Sequence, residues 1–243
     1  MDLAAAERPL NRDIIKYIAM VTMLLNHIAN VFLPHGTILY EILVDIGYFT
    51  APTMCYFLVE GYQYTRSKRN YGLRLLGVAL LSQFPFALAI ASPYTLNMIF
   101  TLLLCFLILV VDEKVSYKSL RILLKGMLTL ISIIADWPIF APVFTMLFRW
   151  AGKDRRRIAV AYGTVGFFFF ATYRIGGLFT LTDFLLAAAS TLGIAVSGIV
   201  ILYFYNGKRI EKGRDFSKWF FYLFYPAHLL ALGLIRDFLV FPV

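Results

Sequence analysis

DIIKYIAMVTMLLNHIANVFLP, residues 13–34, is the stretch whose reading decides the fold. It is an apolar run of about 20 residues, long enough to cross a bilayer as a helix. Its second half carries a polar band of Thr22, Asn26, His27 and Asn30. A helix puts Thr22, Asn26 and Asn30 in one row, four residues apart, with His27 at the border of that row. Polar groups at that depth cost free energy unless they find partners. This helix therefore faces protein or a wet cavity, and the rest of the chain reads as its surroundings.

The composition agrees. Of the 243 residues 60% are hydrophobic and 15% charged, and the mean hydropathy is +0.76. Soluble domains carry roughly 25% charged residues, so an ordinary soluble fold and a disordered chain are both excluded. Phe (23) and Tyr (15) are abundant, as lipid-facing and interfacial positions require. A net charge of +9 would suggest nucleic acid in a soluble chain. Here the basic residues sit in short loops between apolar segments, so topology explains them and no nucleic-acid partner is expected. Cys55 and Cys105 lie inside apolar segments with no metal-ligand spacing. The first apolar run is too long for a signal peptide and is expected to be retained.

Outward from the first segment (14–33), apolar stretches recur at 38–60, 75–91, 95–111, 120–135, 138–150, 158–173, 178–205 and 219–240. Turn residues or basic loops separate them. With the N-terminus in the cytoplasm, alternation puts every Lys and Arg except Arg174 and Arg236, out of 23, on the cytoplasmic side. The expected fold is all-α: one polytopic transmembrane bundle over residues 1–243, with about nine spans (eight to ten) and a cytoplasmic N-terminus. The short stretch 138–150 also fits a re-entrant hairpin. The long stretch 178–205 is expected to tilt, kink or run into an interfacial piece.

That topology sets depths. His27 lies roughly 20 Å from the cytoplasmic end of its helix, in the outer half. Glu41, Asp45, Asn97, Thr101, Asp136, Arg174 and Asp183 fall on the same outer side, with His228 just below. Some of these have purely structural readings. Asn97 can cap the helix it starts. His228 can satisfy the Tyr222 carbonyl that Pro226 leaves free. No zinc-ligand spacing, phosphate-cradling glycine loop or nucleophile triad is present, so no metal and no ATP chemistry is expected. A membrane-embedded histidine near carboxylates suits general-base chemistry and proton-coupled transport equally well.

Five stretches, in order along the chain, carry a resemblance. They are Asn26-His27-Ile28 with the helix start before it; Gly47 onward through Phe57-Leu58-Val59-Glu60-Gly61; Thr65-Arg66 to Arg74-Leu75-Leu76; Ser82-Gln83-Phe84-Pro85-Phe86 with Asn97-Met98-Ile99-Phe100-Thr101-Leu102; and Phe221-Tyr222-Leu223-Phe224-Tyr225-Pro226-Ala227-His228-Leu229. Together they resemble the TraX family of membrane proteins. The resemblance implies a multi-pass protein of the bacterial cytoplasmic membrane that moves an acetyl group from cytoplasmic acetyl-CoA to an amine or hydroxyl acceptor at the outer face. It implies His27 as general base, with Asn26 and His228 beside it in the catalytic set. Glu41, Asp45, Asn97, Thr101, Asp136 and Arg174 are then expected on the acceptor side. Glu60, Arg66 and Arg74 are expected toward coenzyme A, the arginines meeting its phosphates. Three positions depart from the family's usual charged residues: Asn26 for Asp, Tyr48 for Arg and Gln83 for an acid. Two other readings stay open: a small-solute transporter, and a non-enzymatic partner in an envelope or conjugation assembly.

Overall fold

The computed structural model describes residues 8–90, 92, 94–172 and 180–240. Among them the ordered elements are helical: α1 Arg12–Phe32, α2 Ile38–Gly47, α3 Thr50–Tyr64, α4 Lys68–Ile90, α5 Met98–Lys114, α6 Lys118–Ile131, α7 Phe140–Ala151, α8 Arg155–Thr172, α9 Leu181–Ile199 and α10 Arg214–Ile235. A 3₁₀ turn, Ser132–Ile134, follows α6, and π-helical turns, Val200–Phe204 and Arg236–Val240, follow α9 and α10. Two isolated β-bridges, Leu10 with Tyr205 and Leu96 with Ala135, complete the pairing.

Five of these helical stretches are long and apolar enough to cross a membrane: Arg12–Phe32, Ile38–Tyr64, Lys68–Ile90, Leu181–Phe204 and Asp215–Phe238. This is a multi-pass membrane protein. The remaining apolar stretches give shorter helices. The 120–135 stretch breaks at Ser132 into the 3₁₀ turn, leaving 14 residues in α6, and α7 has 12. At 1.5 Å per residue α7 is roughly 18 Å long, short of a hydrocarbon core of about 30 Å. The long 178–205 stretch runs from α9 straight into its π-helical turn.

The chain forms two compact units, Met1–Thr53 with Lys153–Phe221, and Met54–Gly152 with Tyr222–Val243. Helices α3 and α10 each carry the chain from one unit into the other.

In the first unit α1 packs on α2, and α9 packs on both α2 and α8. Asn11 starts α1, its side chain accepting from the backbone N–H groups of Asp13 and Ile14, and Pro34 follows its last residues because proline disfavours a helical predecessor. Asp13 in turn accepts from Ile210 N at 2.9 Å, and Arg12 N donates to Lys208 O at 2.9 Å. The N-terminal arm is thereby tied to the loop after α9. Two glycines set the helix spacing. A Cβ on Gly47 would overlap the Asn26 side chain, and one on Gly193 would overlap the Asp45 carbonyl and meet Tyr48 Cβ at 3.0 Å. Small residues are what allow membrane helices to approach this closely. Gly193→Ala is expected to destabilise the folded protein by about 1–3 kcal/mol, because its obstacle is backbone that cannot swing away. A lowered melting temperature in detergent, with Gly163→Ala (open space around its Cβ position) unchanged, checks this.

In the second unit α5 is the central element, packed by α4, α6 and α7. Its buried face presents Leu102, Cys105, Phe106, Ile108 and Leu109. Helix α7 turns Phe144 and Phe148 inward, stacked at 5.3 Å, and leaves Met146, Arg149 and Trp150 off its buried face. Cys55 and Cys105 are both free and buried. Helix α6 buries none of its residues.

Candidate functional site

The polar row of α1 lies in the first unit. Thr22 and Thr50 share a hydrogen bond of 2.9 Å, and each reaches the Ala19 carbonyl. Asn26 Nδ2 donates to Val44 O at 3.3 Å, while its Oδ1 accepts from Asn30 Nδ2 at 3.0 Å. Tyr40 OH donates to Asn30 Oδ1 at 3.2 Å. The row is thus a seam fastening α1 to α2 and to the start of α3. Asn26 uses both a donor and an acceptor in it, and an aspartate there would lack the donor to Val44. His27, next along the helix, is 6% exposed.

Glu41 and Asp45 stand one turn apart on α2, as expected from the sequence. Asp45 faces Ser190 of α9. Neither its Oδ1 nor the Ser190 hydroxyl completes a hydrogen bond of normal geometry among the described residues, and both atoms are buried. Ser190 was not legible as a site residue, because a serine in an apolar run has no distinguishing pattern. Tyr48 meets Phe169 edge-on at 5.0 Å.

The second unit gathers another polar cluster at the start of α5. Asn97 is fully buried. It caps α5 by accepting from Ile99 N at 2.9 Å, and its Nδ2 donates to Ala79 O at 2.8 Å and Gln83 Oε1 at 2.9 Å. Gln83 Nε2 donates to Thr95 O at 2.8 Å. An acid at position 83 could accept but not donate, so the amide is matched to this turn. Thr101 donates to the Asp136 carbonyl at 2.5 Å, and Asp136 N donates to Leu96 O at 2.9 Å. Tyr225 OH accepts from Met98 N at 3.3 Å.

Asp136 opens a strained turn. Trp137 and Ile139 both have left-handed backbone, φ 56° and 62°. Such a conformation costs roughly 1–2 kcal/mol for an L-residue. The turn is held by the bonds from Leu96 and Thr101 and by Ile139 N donating to Ser132 Oγ at 2.9 Å. Burial pushes the Asp136 carboxyl up to about 6, partly offset by the Trp137 backbone. Its ordinary value is 3.8, so between about pH 4 and 6 the folded protein keeps a proton that the unfolded chain releases. Stability therefore falls as pH rises through that window. Asp136→Asn is expected to remove the fall: its melting temperature exceeds wild type above about pH 7 and matches it below about pH 4, in a thermal-denaturation series against pH.

His228 is 8% exposed on α10, two residues after Pro226. Its ring stacks on Phe224 at 4.8 Å, and its Nδ1 lies 2.7 Å from Phe224 O. The sequence suggested Tyr222 O as the partner; the ring reaches the carbonyl two positions further along, Phe224 O, four residues before it. A carbonyl only accepts, so Nδ1 carries the proton in the neutral ring and Nε2 is the basic nitrogen.

The residues expected toward coenzyme A surround the α3–α4 turn. Glu60 is half-buried, while Arg66 and Arg74 are exposed, Arg74 lying over the Tyr71 ring at 5.8 Å. Sequence reasoning missed the ion-pair network at this end of the unit, having read its cations only as topology signals. Glu113 accepts from Lys68 and from Tyr62 OH (2.9 Å), and these two, Lys68 first, hold its carboxyl below the ordinary range. Asp112 takes Lys125 at 3.0 Å and Arg149 at 3.4 Å. Burial works against its ionisation, but the two cations outweigh it and its carboxyl is lowered. The paired acids Asp112-Glu113 in a basic loop were the available signal.

His27, Asn26, Glu41 and Asp45 thus belong to the first unit, and His228, Asn97, Thr101, Asp136, Glu60, Arg66 and Arg74 to the second. Arg174 lies outside the described residues. Among the described residues no group of three or more His, Cys, Asp or Glu is placed to hold a metal.

The family model described as TraX protein matches residues 11–236. The chain is 32% identical over 244 residues to the probable fimbrial assembly protein FimC, serogroup H1, of Dichelobacter nodosus, covering 93% of this chain and 95% of that protein. No solved structure matches it.

Proposed function

This chain belongs to the TraX family, and from that premise we propose that it is an integral-membrane acyltransferase serving the assembly of a fimbrial or conjugative pilus. The family match over nearly the whole chain carries the reading. The naming of the Dichelobacter relative as a fimbrial assembly protein supports the setting. Two buried histidines in apolar helices support the chemistry, since an ionisable group inside a membrane segment is retained against its cost only where it does something.

The proposed reaction uses acetyl-CoA from the cytoplasm. His27 takes a proton from an acceptor amine or hydroxyl as its lone pair attacks the thioester carbonyl. The C–S bond breaks, and the coenzyme A thiolate leaves and is protonated. Glu41 and Asp45, in the same unit as His27, serve the acceptor side. Arg66 and Arg74, exposed at the basic end, take the donor's phosphates. The orientation proposed with this mechanism is N-terminus in, with nine crossings of the cytoplasmic membrane. The four segments outside the five long helices cross as shorter or tilted pieces.

The test is purified protein with acetyl-labelled coenzyme A. Binding of the donor, and label moving to an acceptor in membrane extract, is the expected result. Failure to bind acetyl-CoA overturns the enzymatic reading. A second reading, a non-enzymatic component of the same assembly, is favoured by the relative's name, which states assembly and not transfer. It expects pilus loss on deletion and full rescue by His27→Ala.

A further inference from the structure

In the second unit a cleft of about 440 Å³ opens between α5, α6 and α7. That is within the range of ~300–1,000 Å³ typical of small-molecule sites. Its walls are apolar, Ile108 on α5 and Met146 on α7. Its charged end is Asp112, Lys125 and Arg149, and Trp150 stands at the rim, 53% exposed.

The charges do not cancel. Two cations converge on one carboxylate, leaving one positive charge in the cleft. Arg149 reaches Asp112 only through Nε, at 3.4 Å, longer than the ~2.7–2.9 Å of a tight charge-assisted bond. Its two terminal amino groups make no other hydrogen bond among the described residues. A guanidinium fork beside a lysine head is a phosphate-recognising pair. Helix α6 extends the site. Ile122, Leu123, Met127 and Leu130 are all exposed on it. Of the basic residues Lys118, Arg121 and Lys125 on this helix, Lys125 lines the cleft and the other two do not. A ligand matching all of this has an anionic phosphate head and apolar chains. The interfacial indole of Trp150 fits the boundary between the two.

We propose that the cleft between α5, α6 and α7 binds an anionic phospholipid, its phosphodiester taken between Lys125 and Arg149 and its acyl chains lying along the apolar face of α6. The continuity of the charged end with that exposed apolar face favours a lipid over a soluble phosphate. The site does not depend on acyl transfer, so it stands or falls separately from the proposed reaction.

The experiment is native mass spectrometry of the full chain released from nanodiscs containing equal phosphatidylglycerol and phosphatidylcholine. Wild type is expected to retain phosphatidylglycerol preferentially. The Lys125→Ala/Arg149→Ala double variant is expected to lose about tenfold of that preference. Lys118→Ala/Arg121→Ala, on the same helix but outside the cleft, keeps it. Equal retention of the two lipids by wild type, or an equal loss in the Lys118/Arg121 variant, overturns the site. Displacement of phosphatidylglycerol by millimolar coenzyme A or inorganic phosphate assigns the cleft to a soluble phosphate and overturns the lipid. Should the double variant not fold, Trp137→Phe/Trp219→Phe leaves Trp150 as the sole tryptophan of three. Brominated phosphatidylglycerol is then expected to quench it more than brominated phosphatidylcholine; equal quenching overturns the proposal.

Discussion

Replacing His27 with alanine is expected to lower acetyl transfer by about 10²–10⁴-fold, the usual contribution of a positioned general base. The neighbours of His27 in the polar row are engaged with backbone and with one another: Thr22 with Thr50, Asn26 with Val44 O, and Asn30 with Asn26 and Tyr40. Losing the imidazole leaves that fastening of α1 to α2 in place. Stability, read as melting temperature, should fall only by the roughly 1–3 kcal/mol that truncating one buried side chain costs, with the protein still folded, while the rate collapses. Binding of acetyl-CoA should also persist, since the proposed phosphate ligands Arg66 and Arg74 are far along the sequence and untouched. His27→Gln separates roles: it keeps hydrogen bonding and volume but cannot accept a proton at neutral pH. If the glutamine variant transfers acetyl at the wild-type rate, the ring is a packing element. If the alanine variant does so, His27 has no part in the mechanism.

Asn97→Ala is the change expected to cost most in stability. Asn97 has no exposed surface, and its side chain makes three hydrogen bonds, to Ile99 N, Ala79 O and Gln83 Oε1. Truncation removes the cap of α5, worth about 1 kcal/mol. It also leaves Gln83 Oε1 with one donor fewer, at about 1–3 kcal/mol for a buried group left short. Together these give about 2–4 kcal/mol, or roughly 5–15 °C in melting temperature for a chain of this size. The loss falls on α5, the central helix of its unit, so it should propagate to α4, α6 and α7 in hydrogen exchange. Gln83→Glu reports on the same turn. It keeps the acceptor for Asn97 but loses the donor to Thr95 O, and it should cost less than Asn97→Ala. A melting curve unchanged in Asn97→Ala would mean that the turn between α4 and α5 finds other partners.

The two amides at positions where the family often carries acids gain a physical account from these bonds. Asn26 and Gln83 each donate to a backbone carbonyl, Val44 O and Thr95 O, which no carboxylate can do. In the sequence they read as lost charges. In the structure they are gained donors that fasten one helix or turn to the next.

The membrane character was determined by the sequence alone, because length and apolarity of a segment are one-dimensional properties. The row Thr22, Asn26, Asn30 was also readable, since a period of 3.6 fixes which residues share a face. The cap at Asn97 followed from local chemistry in the same way. The partners of those residues did not follow. Val44, Ser190, Gln83 and Asp136 are remote in sequence from Asn26, Asp45, Asn97 and Thr101, and only packing brings each pair together. The close approaches at Gly47 and Gly193, the left-handed turn at Trp137 and Ile139, and the convergence of Lys125 and Arg149 on Asp112 were likewise decided by tertiary structure. Each is a matter of distance between helices, which no periodicity encodes. Residues 13–34 specified on their own a helix that must have polar neighbours; the fold supplied which carbonyls and hydroxyls those neighbours are.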